Sequence, residues 1–211
     1  MKNKDSDELI FKIITIGNSG VGKTSIIKRY VHDSFDENAL STIGIGLAFK
    51  EVTIKNGKTI KLKFVDTAGQ EAYKALTKTY YKNTDAVLFV FSLDDKDTYK
   101  DIEEWIKTFK EVNKDEIPKY LIGNKCDLQK KCVSEEEIEK LKNEHNLIAY
   151  FFTSAKLNTN INDIFIDVSE RLYQKYKKYG KKNQNSIHLE KHKSKNKEKK
   201  SCGICDFNPD V

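Results

Sequence analysis

The sequence predicts an α/β protein with a mostly parallel sheet and helices on both of its faces. Short apolar runs rich in β-branched residues alternate with segments of helical period over residues 9–173 of the 211. A glycine-rich turn follows the first apolar run, and Asn56-Gly57 separates two others, as the residues of a hairpin turn do. We therefore expect one doubly covered sheet that is parallel apart from one antiparallel hairpin strand.

Six segments are predicted to be strands because they are short, apolar and rich in β-branched or aromatic residues. They are Leu9–Ile16, Lys50–Ile54, Thr59–Val65, Ala86–Ser92, Lys119–Gly123 and Ile148–Thr153. The run 86–92 is apolar almost throughout, which is typical of a strand buried on both faces.

Five helices are expected between and after these strands. Four of them are predicted at Lys23–Val31, Asp97–Val112, Ser134–His145 and Ile161–Tyr173, and the fifth follows Asp66–Glu71. Ser134 and Glu137 have the spacing of a capping box, which marks the start of the third of the four. In such sheets, ligands bind beyond the carboxyl ends of the parallel strands.

Composition excludes several classes of protein. The chain is 38% apolar and 33% charged, with 10 glycines and 2 prolines, which excludes collagen and Pro/Gly-rich polymers. Its longest apolar run, Ala86–Phe91, is far shorter than the roughly 18 residues of a membrane helix. Residues 1–8 are polar, so no signal peptide is expected. Four cysteines are too few for a disulfide framework, and a reducing cytosolic setting is expected.

The charge is distributed unevenly along the chain. Residues 1–173 carry a net charge of −1, whereas residues 174–211 carry 11 lysines and a net charge of +7. We expect a short polar extension over residues 1–8, one folded domain over residues 9–173, and a disordered basic tail over residues 174–211. The overall net charge of +6 therefore does not indicate a nucleic-acid-binding domain.

The first motif is a phosphate-binding loop. Residues 17–24, Gly-Asn-Ser-Gly-Val-Gly-Lys-Thr, match the pattern G-x-x-x-x-G-K-[ST] between a predicted strand and a predicted helix. Its backbone N–H groups are expected to surround the β-phosphate, while Lys23 reaches the β- and γ-oxygens and the Thr24 hydroxyl ligates Mg²⁺. The pattern predicts that the chain binds a nucleoside triphosphate.

A second motif, Asp66-Thr67-Ala68-Gly69-Gln70-Glu71, follows the third predicted strand. Asp66 is placed to hold the metal through a water molecule. Gly69 is placed to offer its N–H group to a γ-phosphate, and Gln70 to orient an attacking water.

A third and a fourth motif point to guanine. Asp127 of Asn124-Lys125-Cys126-Asp127 can accept hydrogen bonds from both N1–H and the exocyclic amine of guanine, which adenine does not present in that arrangement. Ser154-Ala155-Lys156 can add a backbone N–H to guanine O6 and a lysine stem over the ring. Each of these motifs follows a predicted strand, so the four are expected to meet at one edge of the sheet.

Over residues 9–175 the sequence resembles the Ras superfamily of small GTPases, and within it the Rab branch. The Rab-like points are Thr42-Ile43-Gly44, the pair Tyr80-Tyr81 and the hexapeptide 66–71. The resemblance implies a P-loop GTPase fold with six strands and five helices. It also implies that Thr42 gives Mg²⁺ a second hydroxyl ligand and that Phe35 packs edge-on against guanine.

Motifs and resemblance together give one set of expected site residues. Gln70, Lys23 and Thr42 are expected to be catalytic, and Thr24, Thr42 and Asp66 to hold Mg²⁺. The expected nucleotide-binding residues are Ser19, Gly20, Val21, Gly22, Lys23, Thr24, Ser25, Phe35, Thr42, Asp66, Gly69, Asn124, Lys125, Asp127, Ser154, Ala155 and Lys156.

The resemblance implies a molecular switch in vesicle and membrane trafficking on the cytosolic face of an intracellular membrane. Its partners would be GTP and GDP, an exchange factor, an activating protein and effectors. The only arginines are Arg29 and Arg171, and neither lies in residues 33–45, where an internal arginine finger is expected. Slow hydrolysis is therefore expected, with the activating protein supplying the arginine. A non-enzymatic scaffold that only binds the nucleotide is the alternative.

Several positions depart from the Rab pattern. Gly46-Leu47 stands where an acidic residue and Phe are usual, Val65 where Trp is usual, and Ala72-Tyr73 where Arg-Phe is usual. We expect effectors to contact a surface formed by Leu47, Val65 and Tyr80, with effector identity not transferable from the family.

The tail is expected to bind an anionic membrane through its lysines. Cys202 and Cys205 are candidates for lipidation, although six residues follow them and the pattern is neither C-a-a-X nor a terminal cysteine pair. His188 and His192 with the two cysteines are an alternative zinc site. A nuclear-localisation or nucleic-acid patch is a further alternative, but the run lacks interleaved aromatic residues, and no nucleic acid is expected as a partner.

Overall fold

The computed structural model of the protein describes residues 8–42, 44–69, 78–113 and 116–180. Its six strands are β1 Ile10–Ile16, β2 Ile45–Thr53, β3 Thr59–Thr67, β4 Ala86–Ser92, β5 Lys119–Asn124 and β6 Ala149–Phe152. They form one sheet in the order β2-β3-β1-β4-β5-β6, in which only the β2–β3 pair is antiparallel. The predicted fold class is confirmed.

Residues 78–80 are helical, and the rest of the helix predicted after Asp66–Glu71 lies outside the described residues, at 70–77. Five further helices within the described residues cover the sheet. They are α1 Lys23–His32, α2 Lys96–Lys100, α3 Ile102–Val112, α4 Glu135–Glu144 and α5 Ile161–Tyr179. Apolar side chains of α1 and α5 pack on one face of the sheet, and those of α3 and α4 pack on the other. All seven residues of β4 are buried between these two layers, as its unbroken apolar run predicts.

The hairpin is longer than predicted. Gly57 has φ +79° in the turn, and Ile54 donates its N–H to the Lys58 carbonyl at 3.0 Å. Pairing continues in register from Thr53–Thr59 to Ile45–Thr67, so β2 begins five residues earlier than predicted. Residues 45–49, Ile-Gly-Leu-Ala-Phe, are themselves apolar, and their pairing with β3 shows that the predicted strand began too late.

Two helix predictions are wrong in detail. The segment 97–112 is two helices separated at Asp101, whose carboxylate accepts a 2.6 Å hydrogen bond from the Asn18 side chain. The last helix continues beyond the predicted end at Tyr173 because Tyr176 packs edge-on against Phe11, with ring centroids 6.4 Å apart. Residues 174–179 are therefore helical, contrary to the predicted tail boundary. Residues 1–7 and 181–211 lie outside the described residues.

The capping box predicted at the start of α4 is present, with both of its reciprocal hydrogen bonds formed. Ser134 accepts from the Glu137 N–H, and the Glu137 carboxylate accepts from the Ser134 N–H at 3.0 Å. Among the described residues, no helix combines the length and apolar character needed to span a bilayer.

Candidate functional site

The loop between β1 and α1 is folded around a buried lysine. Lys23 is 5% exposed, and its ammonium group donates to the backbone carbonyls of Gly17 at 2.8 Å and Asn18 at 2.7 Å. These bonds hold the ammonium group across the loop, next to the N–H groups that begin α1. An ammonium group beside a helix N-terminus is suited to binding a phosphate group.

Burial changes the acid–base behaviour of this lysine. Desolvation lowers the pKa of Lys23 to about 8, and the nearby negative charge of Asp66 opposes the shift. A bound anion would favour the charged form and raise the pKa again. The loop therefore holds a cationic group whose charge a phosphate ligand would stabilise.

Two glycines let backbone segments come closer together than other residues allow. Gly22 has φ +95°, and a Cβ there would lie 2.2 Å from the side-chain nitrogen of Asn124. A Cβ on Gly69 would lie 2.2 Å from the backbone carbonyl carbon of Asn18. The loop is thus in close contact with the end of β5 on one side and with the residues after β3 on the other.

Three oxygen-bearing side chains from different parts of the chain meet at the start of α1. The Thr24 hydroxyl lies 2.6 Å from the Asp66 carboxylate, to which it donates, and 2.6 Å from the Thr42 hydroxyl. Thr15 donates a longer bond of 3.4 Å to the other Asp66 oxygen. Desolvation raises the pKa of Asp66, while the hydrogen bond from Thr24 lowers it.

This donor set fits a magnesium ion. Two hydroxyls and one carboxylate are hard oxygen ligands, which Mg²⁺ prefers. A cation would also offset the cost of burying the charged form of Asp66. The residues expected to hold Mg²⁺ are thus brought together by the fold.

The guanine side of the site is held by Asn124 at the end of β5. Its side-chain amide donates to the Val21 carbonyl at 2.9 Å and accepts from the Thr153 hydroxyl at 3.1 Å. Cys126 donates its N–H to the Thr153 carbonyl at 2.9 Å, and Lys125 has φ +64°. Asn124 therefore links the phosphate loop to the ends of β5 and β6, and the turn after it presents Lys125 and Asp127 to the cavity.

The last predicted motif divides into a supporting residue and two lining residues. Ser154 is fully buried, and its hydroxyl accepts the Leu157 N–H at 3.0 Å. Ala155 and Lys156 line the cavity, and Phe35 lines it as well, from the loop after α1. Ser154 shapes the turn, while its two neighbours are available to a ligand.

Most of the predicted site residues line one cavity of about 380 Å³. They are Ser19, Gly20, Gly22, Lys23, Thr24, Ser25, Phe35, Thr42, Gly69, Asn124, Lys125, Asp127, Ala155 and Lys156. Asp66 reaches the site through Thr24, whereas Val21 and Ser154 support its walls. Gln70, Cys202 and Cys205 lie outside the described residues, as do His188 and His192.

The cavity also has walls that the motifs do not indicate. Six further residues line it, namely Asp36, Glu37, Ala39, Leu40, Ser41 and Leu128. Thr67 of the second motif lines it as well, although no role was expected for this residue. Most of the six belong to the polar loop 33–44, which has no apolar period from which a structure could be predicted. Their only sequence signal is their position between α1 and the Thr42 motif.

The predicted effector surface is wrong at one of its three positions. Val65 is fully buried because its side of β3 faces the cluster that contains Ile14 and Tyr81. Leu47 is 56% exposed and Tyr80 is 37% exposed, so both remain accessible. Phe49, 47% exposed on the same side of β2 as Leu47, is an apolar surface residue that sequence reasoning missed.

Comparisons with known proteins agree on one family. Residues 12–174 match the family model described as Ras family. The chain is 40% identical over 167 residues to the Ras-related protein Rab-13 of Canis lupus familiaris, covering 79% of this chain and 81% of that protein. It is 37% identical over 173 residues to the Ras-related protein Rab-10 of Diplobatis ommata, covering 82% of this chain and 86% of that protein. It is 38% identical over 173 residues to the Ras-related protein SEC4 of Saccharomyces cerevisiae, covering 82% of this chain and 80% of that protein.

The lowered pKa of Lys23 predicts that an anionic ligand binds together with a proton. Near its pKa of about 8, Lys23 is only partly charged, and a bound diphosphate raises that pKa. Binding of GDP at about pH 8.5 should therefore take up protons from the buffer, and the uptake should be much smaller near pH 7, where Lys23 is already largely charged. Titration calorimetry in magnesium-free buffers of different ionisation enthalpy measures this. An equal number of protons taken up per bound GDP at the two pH values would contradict this prediction. If the Lys23→Met variant still binds GDP, it should do so without this proton uptake.

Proposed function

The chain belongs to the Ras family of small GTPases, and from this we propose that it is a Rab-like switch in vesicle trafficking. It would bind GTP and GDP with Mg²⁺ and hydrolyse GTP slowly. The observation that best supports this function is the meeting of Thr24, Thr42 and Asp66 beside the buried Lys23. A phosphate-binding loop with a hard-oxygen cation site beside it, facing a base-binding wall, suits a nucleoside triphosphate.

Several groups would share the work of hydrolysis. Bound Mg²⁺ supplies neutralisation of the charge that develops on the phosphate oxygens. The Lys23 ammonium group, held by two carbonyls, is already oriented toward the same charge, which costs no reorganisation during the reaction. Gly69 lies close to the phosphate loop at Asn18, and we assign its N–H group the task of contacting a γ-phosphate. We assign Gln70 the task of orienting the attacking water.

Neither arginine of the chain is available as an internal finger. Arg29 donates to the Ala155 carbonyl at 2.9 Å and is paired with Asp33. Arg171 lies on α5 and is paired with Asp167 at 2.7 Å. These placements support slow hydrolysis and an activating partner that supplies the arginine.

We expect single-turnover hydrolysis of GTP to be slow without a partner, and Gln70→Leu to reduce it further because the water loses its orienting group. An arginine-supplying activator should accelerate the wild-type reaction about 10³–10⁵-fold. GDP formation from a stoichiometric GTP complex, followed by chromatography, measures both effects. The control is Gln174→Leu, an exposed glutamine of α5 far from the site.

Two outcomes of that assay would contradict the proposal. Fast hydrolysis without any partner would show that a catalytic group beyond those named completes the site. Tight GTP binding with no turnover, in the presence of candidate activators, would favour the non-enzymatic scaffold.

The switch would act through loop 33–44 and the residues after β3. Thr42 reaches the metal site through its contact with Thr24, and the Gly44 carbonyl accepts the Ala68 N–H at 3.0 Å. Loss of the γ-phosphate would remove a ligand that both segments share. Effectors would contact the exposed surface of Leu47, Phe49 and Tyr80, and an exchange factor would open the site to release GDP.

The basic tail would bring the switch to an anionic membrane on the cytosolic face of an intracellular compartment. Residues 174–211 carry a net charge of +7, and each lysine near an anionic leaflet contributes about 1 kcal/mol. Cys202 and Cys205 would be the sites of a lipid anchor.

This membrane role predicts binding that depends on the tail lysines. Unlipidated full-length protein should cosediment with vesicles that contain phosphatidylserine and not with pure phosphatidylcholine vesicles. Replacing the six lysines of residues 191–200 by Gln should reduce binding more than tenfold, because about 1 kcal/mol is lost for each lysine. Equal binding of the two proteins would contradict the role of the tail.

Mass spectrometry of the protein from its own cells tests lipidation, and an unmodified tail would rule out the anchor.

A further inference from the structure

Arg29, near the end of α1, joins two walls of the candidate nucleotide cavity. Its guanidinium group donates to the backbone carbonyls of Ala155 at 2.9 Å and Lys156 at 3.3 Å, on the wall expected to bind guanine. The same group donates to the Asp33 carbonyl and carboxylate, both at 3.0 Å, where loop 33–44 begins. One side chain therefore links the guanine wall to the end of α1, where loop 33–44 begins.

This arrangement requires the shape of arginine as well as its charge. The Arg29 side chain is 16% exposed, and its planar fork reaches carbonyls on two separate segments at once. Lysine carries the same charge on a single nitrogen and cannot reproduce these directions. Hydrogen bonds from a charged donor that is largely screened from water are stronger than neutral ones.

An ion pair joins the same two walls at the mouth of the cavity. The Lys156 ammonium group lies 2.7 Å from the Glu37 carboxylate, although 119 residues separate them in sequence. The pair is exposed, at 49% for the lysine side chain and 72% for the glutamate, and it raises the pKa of Lys156 through the Glu37 hydrogen bond. Both residues line the cavity, so the pair spans its opening.

We propose that Arg29 and the Lys156–Glu37 pair form a clamp that sets how long the guanine nucleotide stays bound. Arg29 and Glu37 are positioning residues in this clamp. Arg29 holds the backbone of the guanine wall against α1, and Glu37 holds the Lys156 side chain over the position of the base. The inference rests on the proposed nucleotide site and adds residues that none of its motifs contains.

The clamp should affect nucleotide release and leave the chemical step nearly unchanged. None of the described hydrogen bonds of Arg29 and Glu37 involves Lys23, Thr24, Thr42 or Asp66. Opening the base side of the cavity would raise the dissociation rate of GDP. With GTP saturating, the hydrolysis rate of the bound complex should stay within about twofold.

The test measures release of fluorescent GDP from full-length protein after addition of excess GDP. Arg29→Lys should accelerate release about tenfold, which corresponds to about 1.4 kcal/mol. Its matched control, Arg171→Lys, changes the only other arginine, which lies on α5, and should leave the rate unchanged.

Glu37→Gln provides a second variant that the fold tolerates, because the side chain is largely exposed. It should accelerate release about two- to fivefold, as expected for an exposed ion pair. Its control, Glu103→Gln, changes an exposed acidic residue of α3. Raising the salt concentration should accelerate release from the wild type but not from Glu37→Gln, because salt screens only an ion pair that is present.

The outcomes separate the clamp from the proposed function. Wild-type release rates in both Arg29→Lys and Glu37→Gln, with GDP still bound, would overturn the clamp and leave the GTPase assignment intact. A hydrolysis rate that falls with unchanged release would also overturn it, because Arg29 would then act on the chemical step. Failure of the wild type to bind GDP would overturn both.

Discussion

The contact of the Thr24 hydroxyl with the Asp66 carboxylate and the Thr42 hydroxyl, each at 2.6 Å, is the constraint on which the rest of the site depends. Its three residues belong to the start of α1, the end of β3 and the loop before β2. They meet because β1 and β3 run parallel in register, with Thr15 opposite Asp66, so that both strands end at the same edge. The phosphate loop and α1 follow β1 directly at that edge.

Close backbone approach maintains this geometry from the other sides. Gly22 leaves room for Asn124, whose amide bonds to Val21, while Gly69 leaves room for the loop at Asn18. Asn18 in turn bonds to Asp101 and accepts from the Trp105 indole at 2.6 Å. The phosphate loop is therefore anchored to β5 and α3, which belong to the rigid core. Loop 33–44 is held by contacts of Glu37, Thr42 and Gly44, and between the first two of these Leu40 is 94% exposed. A fixed phosphate loop beside an exposed loop that reaches the metal site through Thr42 is the arrangement that a ligand-driven switch needs.

The sequence predicted the parts of this structure that local pattern determines. The six strands, the hairpin turn, the capping box and the phosphate loop all have short-range signals, and each is present. The errors share a different origin, which is contact between segments distant in sequence. The extra turns of α5 pack through Tyr176 against Phe11, and Asp101, at the junction of α2 and α3, bonds to the distant Asn18.

The same limit applies to the site and its surface. Val65 occupies a position that a family pattern marks as exposed, yet the packing of its side of β3 buries it, and Phe49 is exposed two residues beyond the expected surface residue Leu47. Arg29 and Glu37 belong to no motif, and only the folded chain places them against Ala155 and Lys156. The motifs therefore indicate which groups face the nucleotide, but not which residues hold those groups in position.

The most direct test of the account is hydrogen exchange of the amides in loop 33–44 with GDP and with a non-hydrolysable GTP analogue bound. If the γ-phosphate strengthens the hold on Thr42 at the metal site, these amides should exchange more slowly with the analogue, and Thr42→Ala should remove the difference. Equal exchange with both nucleotides in the wild type, under conditions where both are fully bound, would contradict the switch.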